Sequence, residues 1–483
     1  MVPGRCGWVG TMVLALVCAA CGPSPAPVVV LVSWDTTRAD ALGCYADVAH
    51  WGLDLRAARH PSPRTPRVDA LAASGVRHQW AIAHAPTTLA SHASMMSGRD
   101  TRGARVPRNG FPIEPDVPLL APRFAAAGWQ SVAVVGASVL SRDMGLSRGF
   151  LVYDDHLTQK VRRRYERSAD DVVDRTLAIV DRRSLVDHWT PLFLFVHFFD
   201  AHSPWDSSPA ELRSTMVDPS YAGAVDGSSD SVDWLVKATR AGRVGSDDRI
   251  RARALYLAEV ASMDAALGRL LDGLEQRFAM EDALVVVVGD HGEALDLPAS
   301  RPYGHGFDVD LVASHVPFVA SGSGRFAVPA GVVVDRPVGL MDVAPTIAAM
   351  AGLPVDPSAS GLDLQPVWRG DADAAAILEE RVLLAEATKP TQAEAAPDWN
   401  NRYKERGAFG RRLLVTESPW EDRTPPSAFE LAPGQPEASD ASRSSVERLE
   451  GALRTWDAGA PDYRDPEMTS ETKAALRGLG YLD

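Results

Sequence analysis

The sequence predicts an α/β fold: a mostly parallel central sheet with helices on both faces, plus a smaller C-terminal α+β subdomain. Three observations predict it. Four runs, 28–35, 131–137, 192–200 and 283–291, are rich in Val, Leu and Phe and apolar at successive positions. That is the pattern of strands buried on both faces. Helix-period patterns at 67–75, 119–128, 168–180, 252–276 and 342–352 alternate with these runs, and strand–helix alternation places helices on both sides of a sheet. Three of the strands stop on polar groups: Asp35, Asp200 with His202, and Asp290 with His291. Ligands in such folds bind beyond the carboxyl ends of the strands. One Asp after a strand is accounted for by capping of the next helix. Three such ends, two of them with His, point to a site.

Taken in order, the chain opens with one Arg, an apolar run over 9–17 and small residues ending in Ala19-Ala20-Cys21-Gly22. This is the layout of a signal peptide, too short to span a bilayer as a stable helix. The expectation is a signal peptide over 1–21 with lipoprotein-type cleavage before Cys21. A short stiff tether over 22–27 follows. Export to the periplasmic face of the outer membrane, or secretion, goes with it. Cys21→Ser is then expected to leave the membrane fraction; equal membrane association of the variant and wild type in cell fractions would refute lipidation. Of four cysteines only Cys44 lies in the body of the chain, so no internal disulfide framework is expected. A catalytic domain is expected over 28–370 and the C-terminal subdomain over 371–483. The stretches 370–380 and 389–401 read as a boundary or mobile loop, 411–417 as a strand, 431–445 as loop and 444–456 as a helix. The 483 residues, 46% hydrophobic and 23% charged, suffice for a large core. A net charge of −14 argues against nucleic acid and anionic membrane surfaces as partners. Oligomeric state is not legible.

The stretch "TTLASHASMMSGR", 87–99, is polar, sits between an apolar lead-in and a basic exit, and reads either as a loop running into a helix or as the place where a nucleophile is presented.

With these residues in hand, the chain resembles the sulfatase family of the alkaline phosphatase superfamily. The segments that carry the resemblance are "VVVLVSWDTTRADALGCY", "TPRVDALAASGV", "LFLFVHFFDAHSPW", "VVVVGDHGEAL", "GHGFDVDLVASHVPF", "MDVAPTIAAMAGLP" and the final "ALRGLGYLD". They run in order from 28 to 483; each is weak alone and the series is specific. Sulfatases carry Cys-x-Pro-x-Arg where this chain has Thr88, Ala90 and His92. Thr cannot be oxidised to the family's formylglycine, so none is expected.

The resemblance implies one divalent cation on Asp35, Asp290 and His291, with Thr88 as nucleophile. A bare Thr hydroxyl needs such activation. Mn, Zn, Fe, Mg or Ca are the candidates. Calcium is less favoured, because His291 is in the set and Thr36 stands where a second Asp is usual. His202 matches a histidine that contacts the substrate's oxyanion or the leaving group and His305 matches a Lys or His near the leaving oxygen; both are expected to be catalytic with Thr88. Asn109, His92 and Thr36 are expected to bind substrate. Asp200 and His315 fit either a second metal or structural roles, while His50, His78 and His84 read as surface or packing residues. The substrate implied is a small anionic ester, glycan- or lipid-derived: a sulfate ester, a phosphodiester or a phosphonate monoester. A formylglycine hydrate releases sulfate by collapsing back to the aldehyde. A Thr adduct must instead be opened by water, which favours phosphoryl substrates. The alternative from another class is a catalytically silent, sulfatase-like anion-binding protein. A phosphoethanolamine-type transferase, the third reading, is disfavoured by the lack of any eighteen-residue apolar run.

Overall fold

The computed structural model describes Met1 and residues 26–48, 61–157, 160–161, 164–182, 186–278, 280–295, 303–388, 405–411, 413–417, 427–430, 443–461, 463, 470 and 473. The expected signal peptide apart from Met1 and the 389–401 stretch lie outside them, as does His50. The large sheet has nine strands: β1 (Val28–Trp34), β2 (Val76–Ile82), β3 (Gln130–Val135), β4 (Val152–Asp154), β5 (Leu192–Phe198), β6 (Ala283–Gly289), β7 (His315–Val316), β8 (Phe318–Gly322) and β9 (Val332–Gly339). Their order is β9-β2-β8-β6-β1-β5-β3-β4, with β7 pairing β2 off this path. β1 runs parallel to both neighbours, β5 and β6, and all three are buried along their whole length. Continuous apolar runs are what a strand covered on both faces requires. Only β8 and β7 run antiparallel to their partners.

Side-chain alternation divides β1 between two cores. Val28, Val30, Val32 and Trp34 face helices Ala169–Val180 and Ser246–Glu275, through residues such as Val172, Val173, Leu267 and Leu270. Val29 and Leu31 face helices Thr88–Ser97, Leu120–Ala126 and Val343–Met350, through Leu89, Ala93, Phe124 and Ile347. This is the period-2 consequence of a strand between two helical layers.

The structure departs from the sequence reading in particular places. The long helix begins at Ser246, not 252, because Asp248 at its third position accepts from Gly245 N (2.9 Å) and closes the first turn. The 370–380 stretch is no loop. It contains helix Ala372–Glu380, started by Asp371, whose side chain accepts from Asp373 N and Ala374 N. β2 does not stand out in the sequence because Arg77, His78 and Gln79 interrupt its apolar pattern, although Arg77 and His78 are buried.

A second, antiparallel sheet comprises Leu383–Ala387, Glu405–Phe409, Leu413–Glu417 and Ser427–Glu430. Leu383, Ala385, Ala387, Phe409 and Leu414 join the same core as Val30 and Trp34. Helix Arg443–Ala458 packs Leu449 and Leu453 on the sheet's other side, against Ala408 and Val415. Among the described residues no helix is long and apolar enough to cross a membrane.

Candidate active site

Register brings the site together. Trp34 of β1 pairs with Gly289 of β6 on one side and Phe198 of β5 on the other. The ladder runs one residue further: Asp35 N donates to Phe198 O (2.9 Å) and Asp290 N to Trp34 O (3.1 Å). Asp35 and Asp290 therefore leave adjacent strand ends side by side, since neighbouring strands lie about 5 Å apart. The 87–99 stretch proves to be a helix, Thr88–Ser97, buried along its length and starting with Thr88 at its first position. Ser91 Oγ ties it to the end of β6 by donating to Asp290 O (2.6 Å). Asn109 Oδ1 accepts from Leu89 N (2.7 Å), satisfying one of the open amides of the first turn.

Thr88 Oγ1 donates to Asp35 Oδ2 (3.1 Å) and lies 3.4 Å from His291 Nε2. His291 Nδ1 is 3.0 Å from Gly292 O, which can only accept, so Nδ1 carries a proton and the neutral ring holds its lone pair at Nε2, on the side of Thr88. Asp290 Oδ1 accepts from His291 N (2.7 Å) and Thr36 N (3.0 Å). The second of these bonds holds Thr36 in a left-handed conformation, φ 47°. Such a conformation is a genuine outlier for a β-branched residue. Tyr256 supports it from the other side, donating its OH to Thr36 O (2.9 Å) while accepting from Arg38 N (3.0 Å).

His197 Nε2 also lies 3.3 Å from Asp35 Oδ2, so each carboxylate has one oxygen held by two donors and one without: Asp35 Oδ1 and Asp290 Oδ2 are buried with no hydrogen-bond partner. Burial above all pushes both carboxyls well above the usual carboxylate range, and for Asp290 the Asp35 charge adds to it. The ionic partners of these two acids within 4.0 Å are, among the described residues, histidines only. Two buried carboxylates beside the neutral rings of His92 and His197 are costly unless positive charge is supplied. Donor atoms from Asp35, Asp290 and His291 all lie within 4.8 Å of one another. Two oxygens and an imidazole nitrogen suit a divalent cation of the Mn, Fe or Zn type. The residues therefore fit the group.

The other expected site residues distribute unevenly. His202 and His305 come together above His291, with ring centroids 5.1 Å apart and His305 4.5 Å from His291. His202 Nδ1 is 2.8 Å from Ser203 O and its ring stacks on Phe199; His305 Nδ1 is 3.4 Å from both carboxylate oxygens of Glu293. Asn109 is beside the helix start, with Nδ2 buried and unpartnered. His92 is fully buried beneath the helix, its ring against Phe195 and His197, and Nδ1 sits 2.7 Å from Thr88 O and 3.7 Å from Asp290 Oδ2. That is the inner side of the carboxylate pair, because a residue four positions into a helix projects from the face that carries Thr88. Thr36 likewise meets Asp290 through its backbone. Asp200 Oδ2 accepts from Ala169 N (2.8 Å) at the start of the Ala169–Val180 helix, and His315 bonds Gln79 O (2.8 Å) and stacks on Trp80. His78 and His84 bond Phe318 O (3.2 Å) and Leu384 O (2.7 Å). These four hold the fold together.

Two residues escape the sequence reading. Glu293, in "GDHGE", lies close to the motif but has no visible partner in the sequence. His197 sits inside the apolar run of β5, 3.3 Å from Asp35 Oδ2; a histidine interrupting a buried strand is its only signal. Burial lowers His92 and His197 to about 3, so both rings are neutral in ordinary buffers.

Fold and site together define an α/β protein with a buried carboxylate–imidazole cluster at the carboxyl edge of its sheet, next to a helix-borne hydroxyl. A family model described as Sulfatase matches residues 27–353. The chain belongs to the sulfatase family, whose members use a divalent metal. Human arylsulfatase K (Homo sapiens) is 30% identical over 138 residues, 28% of this chain and 25% of that protein. A choline-sulfatase of Rhizobium meliloti (strain 1021) is 28% identical over 123 residues, 25% of this chain and 23% of that protein. The matches span about a quarter of the length of these curated relatives. Among solved structures, a phosphonate monoester hydrolase from Silicibacter pomeroyi superimposes with TM-score 0.64 at 21% identity, covering 92% of this chain and 98% of that one. A protein in complex with D-glucosamine-2-N,6-O-disulfate does so with TM-score 0.62 at 15% identity, covering 92% and 100%. These likenesses show a shared fold.

Proposed function

We propose that this chain is a metal-dependent hydrolase of anionic esters, with Thr88 as nucleophile and Asp35, Asp290 and His291 holding one divalent cation. The observation that carries the reading is the placement of Thr88 Oγ1, at the first position of a buried ten-residue helix and within reach of both Asp35 Oδ2 and His291 Nε2. A bound divalent cation supplies the Lewis acidity that favours the alkoxide form of a hydroxyl and offsets substrate charge. The helix N-terminus adds partial positive charge at the same point.

Thr88 gives up its proton along its existing bond to Asp35 and attacks the substrate's phosphorus or sulfur in line. The new Oγ1–P or Oγ1–S bond forms as the ester bond to the leaving oxygen breaks. His305, held by Glu293, and His202 flank the position of the leaving oxygen and supply its proton. Water then attacks the same phosphorus or sulfur and gives its proton to the histidine that protonated the leaving oxygen, while the Oγ1–P or Oγ1–S bond breaks and Oγ1 recovers the proton held on Asp35. Asn109 Nδ2, a buried donor with no partner, is available to an anionic oxygen beside Thr88. His92 and Thr36 act from beneath the pocket, on the helix start and on Asp290.

Water must open a Thr ester directly, so phosphodiesters and phosphonate monoesters are the favoured substrates and sulfate esters the lesser ones. Binding of D-glucosamine-2-N,6-O-disulfate by one protein of this fold supports a glycan-derived ester as the organic part. Export and anchoring through Cys21 complete the reading.

The test is a panel of aryl sulfate, phosphate monoester, phosphodiester and phosphonate monoester with Mn²⁺, Zn²⁺, Fe²⁺, Mg²⁺ or Ca²⁺ supplied in turn. The highest kcat/KM is expected on a phosphodiester or phosphonate monoester. A clear preference for aryl sulfate would refute the phosphoryl assignment, and no turnover on any member would favour the silent anion-binding protein.

A further inference from the structure

Beside the cluster of Asp35, Asp290 and His291 lies a second gathering of metal-capable groups, His92, His197 and Asp290, whose donor atoms are also within 4.8 Å of one another. By composition alone the two invite the same interpretation. The proton positions separate them.

A metal-binding imidazole must present a lone pair to the ion. His291 does so at Nε2, because its Nδ1 proton goes to the Gly292 carbonyl. His197 is the reverse. Its Nδ1 accepts from the Gly136 amide at 3.4 Å, so its proton is on Nε2, and that proton is donated to Asp35 Oδ2 at 3.3 Å. The amide reaches the ring because residue 136 has no side chain. A Cβ there would lie 2.9 Å from the His197 carbonyl oxygen and 3.2 Å from the Phe199 side chain. His92 also turns a proton inward: its Nδ1, the atom 3.7 Å from Asp290 Oδ2, serves the Thr88 carbonyl at 2.7 Å.

We infer that His197 is a positioning residue for Asp35, not a ligand of a second cation. Its Nε2–H and the Thr88 hydroxyl together grip Asp35 Oδ2. A carboxylate held by one oxygen at two points cannot rotate freely, and its other oxygen, Oδ1, is left buried and without a hydrogen bond. Oδ1 is then the atom turned toward the cation. Partners of this kind that orient a ligating carboxylate change metal affinity about 10–100-fold when removed. The inference rests on the proposed cation at Asp35, Asp290 and His291, and adds that its affinity depends on a strand histidine that never touches it.

The experiment measures Mn²⁺ affinity and stoichiometry by chelator competition on the full chain, with thermal melts of the metal-free proteins as a check on folding. His197→Leu removes the donor, and His197→Gln replaces it at about the reach of Nε2. His197→Asn keeps an amide that stops at about the depth of Nδ1 and falls short of Asp35. One equivalent of Mn²⁺ is expected throughout, bound about 10–100-fold more weakly by the Leu and Asn variants and close to wild type by Gln. If His197→Leu does not fold, the Asn–Gln contrast decides. Wild-type affinity in the Asn variant would overturn the inference. So would two equivalents bound by wild type and one by a His197 variant with unchanged affinity, which would make His197 a ligand. If Asp290→Asn also retains wild-type affinity, the cation reading itself fails; if Asp290→Asn loses the metal and the His197 variants do not, only this inference fails.

Discussion

Thr88→Ala is expected to lower turnover by at least ~10³-fold on whichever ester wild type cleaves best, the scale seen when a nucleophile is removed. The fold should survive, and the cation is supplied in excess, because Thr88 shares with His197 the grip on Asp35 Oδ2 and its loss weakens the hold on the metal. The hydroxyl is buried and donates to Asp35 Oδ2, but that oxygen keeps its bond from His197, so the stability cost is about 1 kcal/mol. Thr88→Ser retains the oxygen at the first position of the helix and should keep substantial activity, since little but a methyl group is lost. The measurement is kcat with metal content checked on the same sample. A Thr88→Ala protein that turns over at the wild-type rate would show that the residue is not the nucleophile, whatever its neighbours.

Removing charge from the acid between β1 and β6 should act on the metal first. Asp290→Asn leaves an oxygen that can accept from Thr36 N and His291 N, yet takes one negative charge out of a fully buried pair. Cation affinity is expected to fall at least ~10²-fold, the upper end of what losing a mere outer partner costs. Elemental analysis should show a matching loss of bound metal. Asp290→Ala is the less clean change. It strips the acceptor from two buried amides, about 1–3 kcal/mol each, and releases Thr36 from the hydrogen bond that holds its positive φ. A full equivalent of tightly held metal in Asp290→Asn would contradict the assignment of Asp35, Asp290 and His291 as the site.

Both outcomes turn on residues legible in the amino-acid sequence. Asp35, Asp290 and His291 stand out because each ends an apolar run, and a polar residue at the end of a buried strand has few uses besides capping and binding. Thr88 stands out through the position it fills in a motif series. Asp200 carries the same kind of signal and goes elsewhere, to a helix start. A strand end says that a polar group emerges there; it does not say what it meets.

The sequence by itself determined the layers of this protein. Its continuous apolar runs can be accommodated only between two helical coats, and the polar groups that terminate them must then share one edge of the sheet. Strand order, register and proton positions at the site came only with the tertiary structure, because β1 pairs with β5 and β6 across more than a hundred positions. Thr36 N meets Asp290 Oδ1 across 254 positions, Thr88 meets His291 across 203 and His197 meets Asp35 across 162. No local pattern encodes such distances. The same physics explains why a histidine hidden in β5 carries no legible role in the sequence: its partner Asp35 is beside it only once β1 and β5 lie side by side.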